Sequence, residues 1–518
     1  MTKDKEEKPV DPISRAKNRA AEIANTFEWL ITAFALAFVF RAFVMEAFRI
    51  PTGSMADTLL GAHYMLRCTE CGYKYCYGDS GAGAAGGSGR IHQDYTRCPS
   101  CGYYQATPAI PGEGPSSGDR ILVLKCIYQF VEPKQWDVVV FKNPLDPPIN
   151  YIKRLVGRPG ETVELIDGDV YINGQISRKP PKVQNELWMP IYDNDYRPAR
   201  PEEPAFNRHT WKQPFRNTNG SKWTIDEENP TAFHLESEPT GENRLVYDTS
   251  AGNDFRATYA YDETIDYRIM PYCSDLMVRF WVTSARTAGS TPSASSPQAG
   301  SAGASLGKYG STYTGRIDFN GEMSITRLKD ANEQVLATRT IGSLPTARPT
   351  LLRFANVDHR LMLEFGNEKL IYDMGRGPDD AGPRKTRIEP TASIFGSGKL
   401  SISHLALFRD IHYTAGNPST NSPGRAAEGN PLTLEADQFF MLGDNSPRSE
   451  DGRWWASPGK GNNGRIYPEG IVPREYLVGK ALFVYWPAGF KPFPSAPAAL
   501  VPNIGDMRFI YGGSSEDR

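Results

Sequence analysis

The sequence predicts a mainly β protein with one N-terminal apolar helix, and three observations lead there. Short alternating runs recur along the chain, separated by turn signals such as Asp167-Gly168 and Asn173-Gly174. The composition, 48 glycines, 41 prolines and 11% aromatics in 518 residues, suits a β- and loop-rich chain better than a helical bundle. A single apolar run, Phe27 to Val44, stands apart from everything after it. The length predicts about two to four domains. A formal net charge of −2 supplies no concentrated basic face and so argues against nucleic acid as a partner.

Residues 1–25 read as a polar tail. Its basic set, Lys3, Lys5, Lys8, Arg15, Lys17 and Arg19, predicts a cytoplasmic N-terminus. The uncharged stretch Trp29 to Phe40 is only about twelve residues, short of the ~20 that span a bilayer. Continuing past Arg41, which can snorkel to the interface, gives a membrane helix over 26–47. A cleaved export signal is the competing reading, but no clean small-x-small site follows. No later segment approaches spanning length, so the rest of the chain is expected on the far side of the membrane.

Residues 48–66 hold Ile50-Pro51-Thr52-Gly53-Ser54-Met55. Gly53 leaves the backbone bare beside Ser54, so the hydroxyl can be presented, but a serine needs a base to act as a nucleophile. Lys153, within Tyr151-Ile152-Lys153-Arg154-Leu155-Val156-Gly157, sits in an apolar run where loss of solvation favours the neutral amine. Taken singly, each has a plain structural explanation: serines beside glycines are mostly turn residues, and strand lysines mostly solvated.

Residues 67–104 carry two near-identical knuckles, Cys68-x-x-Cys71-Gly-Tyr and Cys98-x-x-Cys101-Gly-Tyr. Four thiolates at this spacing can close a tetrahedral zinc site with no position left for water, as in a rubredoxin-like ribbon. Disulfides are the alternative in an oxidising exterior. Cys76 and His92 read as bystanders, and Gly81 to Gly89 as a flexible tip.

Alternation predicts strands at 120–125, 137–142, 150–156, 162–166 and 169–173 within a segment spanning 105–185. Residues 186–415 then form a second strand-rich block. Its strands are expected at Leu276–Val282, Gly315–Phe319, Met323–Leu328, Leu351–Phe354, Arg360–Phe365, Lys369–Tyr372 and Leu400–Phe408, a sandwich pattern. Its runs loosely resemble concanavalin-like jelly rolls; such folds often bind sugars, and a spacer or protein-contact role fits as well. Thr287 to Gly307, rich in Ser, Ala and Gly, reads as a disordered loop. A linker over 416–430 leads to the last block, 431–518, which contains Gly443-Asp444-Asn445 and a closing strand Leu477–Trp486; the proline-rich stretch Pro487 to Val501 is expected on the surface.

IPTGSM, GDRILV, YIKRLVGRPGE and GDNSPRSEDGR occur in the order seen in bacterial type I signal peptidases, and the chain resembles that family over roughly 48–60, 118–175 and 437–487. The resemblance implies a membrane-bound serine endopeptidase that removes signal peptides from exported preproteins. It has a β-barrel or sheet core and needs no cofactor for catalysis; a structural zinc belongs to the insertion. By matched position, Ser54 is the nucleophile and Lys153 its base; the Ser54 amide and the Thr52 hydroxyl form the oxyanion site. Ser449 orients the amine, and Asp451 and Arg453 brace the site, although alone these two read as a surface ion pair. Ile50, Met55, Leu59 and Tyr151 shape the pocket for a small residue at −1, and Phe48 and Ile152 that at −3. The sequence departs from the family at Thr52, at Ala56-Asp57 and at Gly452. A serine–histidine–aspartate hydrolase fits poorly, since Thr52-Gly53-Ser54-Met55-Ala56 lacks the G-x-S-x-G elbow. Self-cleaving Ser/Lys repressors would lack the membrane helix. A membrane-tethered scaffold with an inactive core remains the alternative.

Overall fold

The computed structural model describes residues 12–78, 95–106, 116–202, 210–225, 230–262, 269–284, 300–342, 348–416, 423–462, 464–489 and 501–513. The expected flexible tip at Gly81–Gly89, His92 and most of the proline-rich stretch 487–501 lie outside these residues.

The helix Pro12–Val39 runs on through a π-helical turn, Phe40–Val44. Its segment Ala21–Val44, 24 residues of mean hydropathy 1.8, is long and apolar enough to cross a membrane. Phe27, Trp29, Phe34 and Phe38 on it are exposed, as a helix made for lipid requires. The helix stops short of residue 47 because Met45–Arg49 is already a strand, paired antiparallel with Arg120–Leu124. Lys125 fastens this exit: its N–H donates to the Val44 carbonyl (2.9 Å), and its amine pairs with Glu46 (3.1 Å).

The main sheet follows the order Met45–Arg49, Arg120–Leu124, Leu477–Trp486, Val138–Lys142, Asn150–Gly157, Gln438–Leu442, Val472–Pro473, with Arg508–Phe509 added beside Leu477–Trp486. Three distant parts of the chain thus build one sheet, and the material between them is inserted into it. Leu477–Trp486 lies inside the sheet and is bent by bulges on both sides, which lets one strand serve two neighbours of different twist. Ile50, Met55, Leu59, Ile121, Val123, Val140 and Ile152 share one core cluster. Each full burial of this kind contributes roughly 1.5–3 kcal/mol. The hairpin Thr162–Ile166/Asp169–Ile172 turns at Asp167 and Gly168, both with positive φ, as the sequence predicts for a tight hairpin.

The ribbon comprises two small hairpins, His63–Arg67 with Lys74–Gly78 and Tyr95–Arg97 with Tyr104–Ala106. The second strand-rich block is a sandwich. One sheet runs from Thr224–Ile225 to Glu368–Asp373 through the long strand Lys399–Arg409; the other runs from Phe215–Asn217 to Asn332–Thr340. Val278, Phe280, Ile317, Ile325, Phe354, Leu363, Ile394 and Leu407 fill the space between.

Two expectations are corrected. Residues 301–307, read as the end of a disordered loop whose stretch 287–299 lies outside the described residues, belong to a buried strand, Ser301–Lys308, between Thr391–Ser397 and Ser311–Asp318. Small residues are required there by close packing: a Cβ on Gly303 would fall 2.3 Å from both the Gly315 carbonyl and the Phe395 ring. Residues 423–430, read as linker, pack on the core, with Ala426 and Ala427 buried and the Leu165 N–H donating to the Ala426 carbonyl (2.6 Å).

Candidate active site

Ser54 sits in a single 3-10 turn, Gly53–Met55, immediately after the edge strand Met45–Arg49. Lys153 lies near the middle of the strand Asn150–Gly157, between Val138–Lys142 and Gln438–Leu442. The fold brings the two together across 99 residues of sequence: Lys153 Nζ and Ser54 Oγ are 2.5 Å apart, in hydrogen-bond contact. Both are buried, at 4% and 8% exposure. Burial pulls the Lys153 amine down to about 8, against the opposing pull of Asp451 and Glu450. Among the described residues no carboxylate lies within ion-pair distance of it; its near neighbour is the Tyr151 ring, 5.3 Å from Nζ to centroid.

The residues around the pair are held by fully buried charge. Arg154, next to the lysine, makes a two-pronged contact with Asp444 (2.8 and 2.7 Å) and donates to the Trp136 carbonyl (3.0 Å). Burial alone would pull its guanidinium down, but Asp444 outweighs that and raises it. Asp451 and Arg453 form a second such pair at 2.7 Å with both side chains wholly buried. The surface-pair reading of these two therefore gives way. Asp451 also accepts the Gly443 N–H (3.0 Å), and Arg453 reaches the Thr414 and Ser446 carbonyls, so the pair fixes the loop 443–453.

Thr52 precedes the serine turn and is exposed, with no side-chain cap bond. Ser449 is buried, and its hydroxyl has no hydrogen-bond partner among the described residues; it lies against Gly443, where the Ser54 carbonyl also approaches. Of the pocket candidates, Ile50, Met55 and Leu59 are fully enclosed in the core, Ile152 is 9% exposed, and Phe48 and Tyr151 are half-buried. A cavity of about 350 Å³ opens elsewhere, between ribbon, sandwich and the loop after Ser54, lined by Asp57, Tyr73, Trp188, Tyr259 and Arg409 among others; neither Ser54 nor Lys153 borders it.

The sequence reading missed Arg154–Asp444 as a pair, although both residues stood inside quoted motifs. It also missed three residues of the inserted sandwich beside the serine: Tyr259, whose hydroxyl donates to the Asp444 carbonyl (2.9 Å), Tyr261 and Asp262.

In the ribbon, all four thiols converge. Cys68 Sγ is 3.7 Å from Cys101 Sγ, and Cys71 Sγ is 3.6 Å from Cys98 Sγ. Bonded sulfurs would stand about 2.05 Å apart, whereas sulfurs at about 2.3 Å from a common tetrahedral ion stand about 3.8 Å apart. The donor set fits a structural metal. The knuckle glycines Gly72 and Gly102 both take positive φ and donate to the first cysteine's carbonyl, which explains why glycine follows each CxxC.

Comparison with known proteins bears on the main sheet. The family described as signal peptidase, peptidase S26 matches residues 113–219 and 409–486, leaving the Ser54 block outside the matched range. The signal peptidase I of Rickettsia canadensis (strain McKiel) is 32% identical over 148 residues, 28% of this chain and 42% of that protein. That of Rickettsia prowazekii (strain Madrid E) is 33% identical over 156 residues, 30% and 46% of the two chains. The chain thus spans less than half the length of these curated relatives. Among solved structures, a carbohydrate binding module CBM66 from Bacillus subtilis aligns with 38% of this chain and 93% of its own at 11% identity and a TM-score of 0.22. At that score the two-sheet architecture stands on its own strand pairing alone. Lys153, Arg154, Asp444, Asp451 and Arg453 all fall within the matched ranges, and over them the chain is similar to signal peptidase, peptidase S26.

Proposed function

We propose that this chain is a membrane-bound signal peptidase I that cleaves exported preproteins through a Ser54–Lys153 dyad. The observation that carries the reading is a buried amine without a carboxylate, 2.5 Å from a serine hydroxyl. A lysine held down to about 8 is partly neutral near pH 7 and can accept a proton. In the first step Ser54 Oγ attacks the carbonyl carbon of the scissile peptide while its proton passes to Lys153 Nζ. The Ser54 amide and the Thr52 hydroxyl receive the oxyanion. Collapse breaks the C–N bond, the ammonium returns its proton to the leaving amine, and an ester on Ser54 remains. Water then attacks that ester, with Lys153 again as base, and releases the signal peptide's new carboxylate.

Preference for small residues at −1 and −3 is carried over from the family resemblance, with Phe48, Tyr151 and Ile152 the accessible members of the pocket set and Ile50, Met55 and Leu59 behind them. The orientation, N-terminus cytoplasmic and catalytic core on the extracytoplasmic side, places the dyad where a signal peptide emerges. The four ribbon cysteines hold zinc, which ties two hairpins too small to carry a core of their own.

The test is cleavage of a preprotein by the detergent-solubilised chain. Wild type is expected to cut, and Ser54→Ala and Lys153→Ala each to lose at least about 10²–10⁴-fold. An inactive wild type, or an active Ser54→Ala, would favour the scaffold reading.

A further inference from the structure

Resting on that reading, we propose that Tyr261 and Asp262, carried by the inserted sandwich, are positioning residues for Ser54. They lie between the strands Asn243–Tyr247 and Leu276–Ser284, outside both ranges matched by the peptidase S26 family.

Two contacts reach the serine turn. The Tyr261 ring packs against Gly53. A Cβ built on Gly53 would stand 2.0, 2.7 and 2.9 Å from three ring carbons of Tyr261, and these are its three nearest atoms. Gly53 does not adopt a left-handed φ. Conformation alone therefore admits an alanine there, and the tyrosine is what forbids it. The ring is itself pinned: its hydroxyl donates to the Ala62 carbonyl (3.0 Å), and its carbonyl accepts the Gly78 N–H (2.8 Å) from the ribbon hairpin. In the second contact, Asp262 Oδ1 accepts the Asn445 side-chain amide (2.7 Å), while the Asn445 backbone N–H donates to the Ser54 carbonyl (3.1 Å). Asn445 is 1% exposed, so this bond works without competition from water.

The turn that presents the nucleophile is thus clamped between a ring and an amide, both controlled by the insertion. A misplacement of about 1 Å at a reacting atom can cost roughly 10²-fold in rate. The insertion is accordingly part of the catalytic scaffold, and its loss is felt in turnover rather than in substrate affinity.

The experiment is a double-mutant cycle in the full, detergent-solubilised chain, reading kcat, KM and Tm for preprotein cleavage. Gly53→Ala alone is expected to lower kcat at least tenfold. Tyr261→Gly alone is expected to lower kcat a few-fold, and adding it to Gly53→Ala, where it opens the space, to raise kcat above that of Gly53→Ala. Asp262→Ala is expected to lower kcat about tenfold with KM and Tm unchanged, and Asp262→Asn, which keeps the acceptor oxygen, to recover most of that loss. A cycle in which the double variant is no better than Gly53→Ala, or Asp262→Ala at wild-type kcat, overturns the positioning role while the dyad reading stands. A wild type that does not cleave at all contradicts the dyad reading and the positioning role with it.

Discussion

Lys153 and the pair Lys179 and Lys308 are equally buried and behave oppositely. Lys153 faces a serine hydroxyl and an aromatic ring, and its amine is pulled down to about 8. Lys179 and Lys308 lie where the sandwich seats on the strand Asp169–Ile172, among the carboxylates of Asp169, Asp275, Asp358 and Asp410. Lys179 pairs with Asp358 (2.5 Å) and Asp410 (2.9 Å), and Lys308 with Asp275. Burial would pull these amines down too, but the carboxylates outweigh it and hold both well above the usual lysine value. Burial alone therefore does not make a base. What distinguishes Lys153 is that the buried carboxylates near it are already engaged, Asp444 by Arg154 and Asp451 by Arg453, while Glu450 is exposed to solvent. The two buried arginine pairs hold acidic loops close to the lysine without surrendering a carboxylate to it.

Removing one partner from the junction should produce the largest change in stability. Asp358→Ala takes a carboxylate from both the Lys179 amine and the Lys179 backbone N–H, and is expected to cost about 3–5 kcal/mol in chemical denaturation. Lys153→Met should do the reverse. The amine binds its proton less tightly in the folded chain than in the unfolded one, so its penalty on stability is full below about pH 8 and fades as the pH rises to the free-lysine range. At pH 7 the methionine variant is expected to be more stable than wild type by on the order of 1–2 kcal/mol and, on the proposed dyad, to be inactive. A Lys153→Met chain less stable than wild type would break the contrast.

A smaller effect is expected from the ribbon, which reaches the serine turn through Tyr261, by the Gly78 N–H and the His63 ring. Cys68→Ser with Cys71→Ser should abolish bound zinc by elemental analysis and lower kcat only a few-fold. A metal-free wild type with intact disulfides would refute the metal site.

Much of this was legible in the sequence because the blocks around Ser54, Lys153 and Asp444 are short and contiguous. Strands 120–124, 138–142, 150–157 and 162–166 lie where alternation predicted them, and 477–486 where a closing strand was read. The cysteine spacing likewise announced a four-sulfur site. What could not be read depends on contacts between distant residues. Arg154 and Asp444 are 290 positions apart, and nothing local marks either as the other's partner. Gly53 reads as a flexible hinge until the Tyr261 ring is seen against it. The strand Ser301–Lys308 was hidden by composition, because small residues signal disorder on average yet are what a strand packed closely on both faces requires.

The most direct measurement is the titration of the Lys153 side chain itself, by NMR of the chain labelled at the lysine carbon next to Nζ and assigned with Lys153→Met. The account predicts a midpoint of about 8 for Lys153 in wild type, and a midpoint well above it in Ser54→Asp, which supplies the missing carboxylate. A wild-type midpoint near that of a free lysine, unmoved by Ser54→Asp, would contradict it.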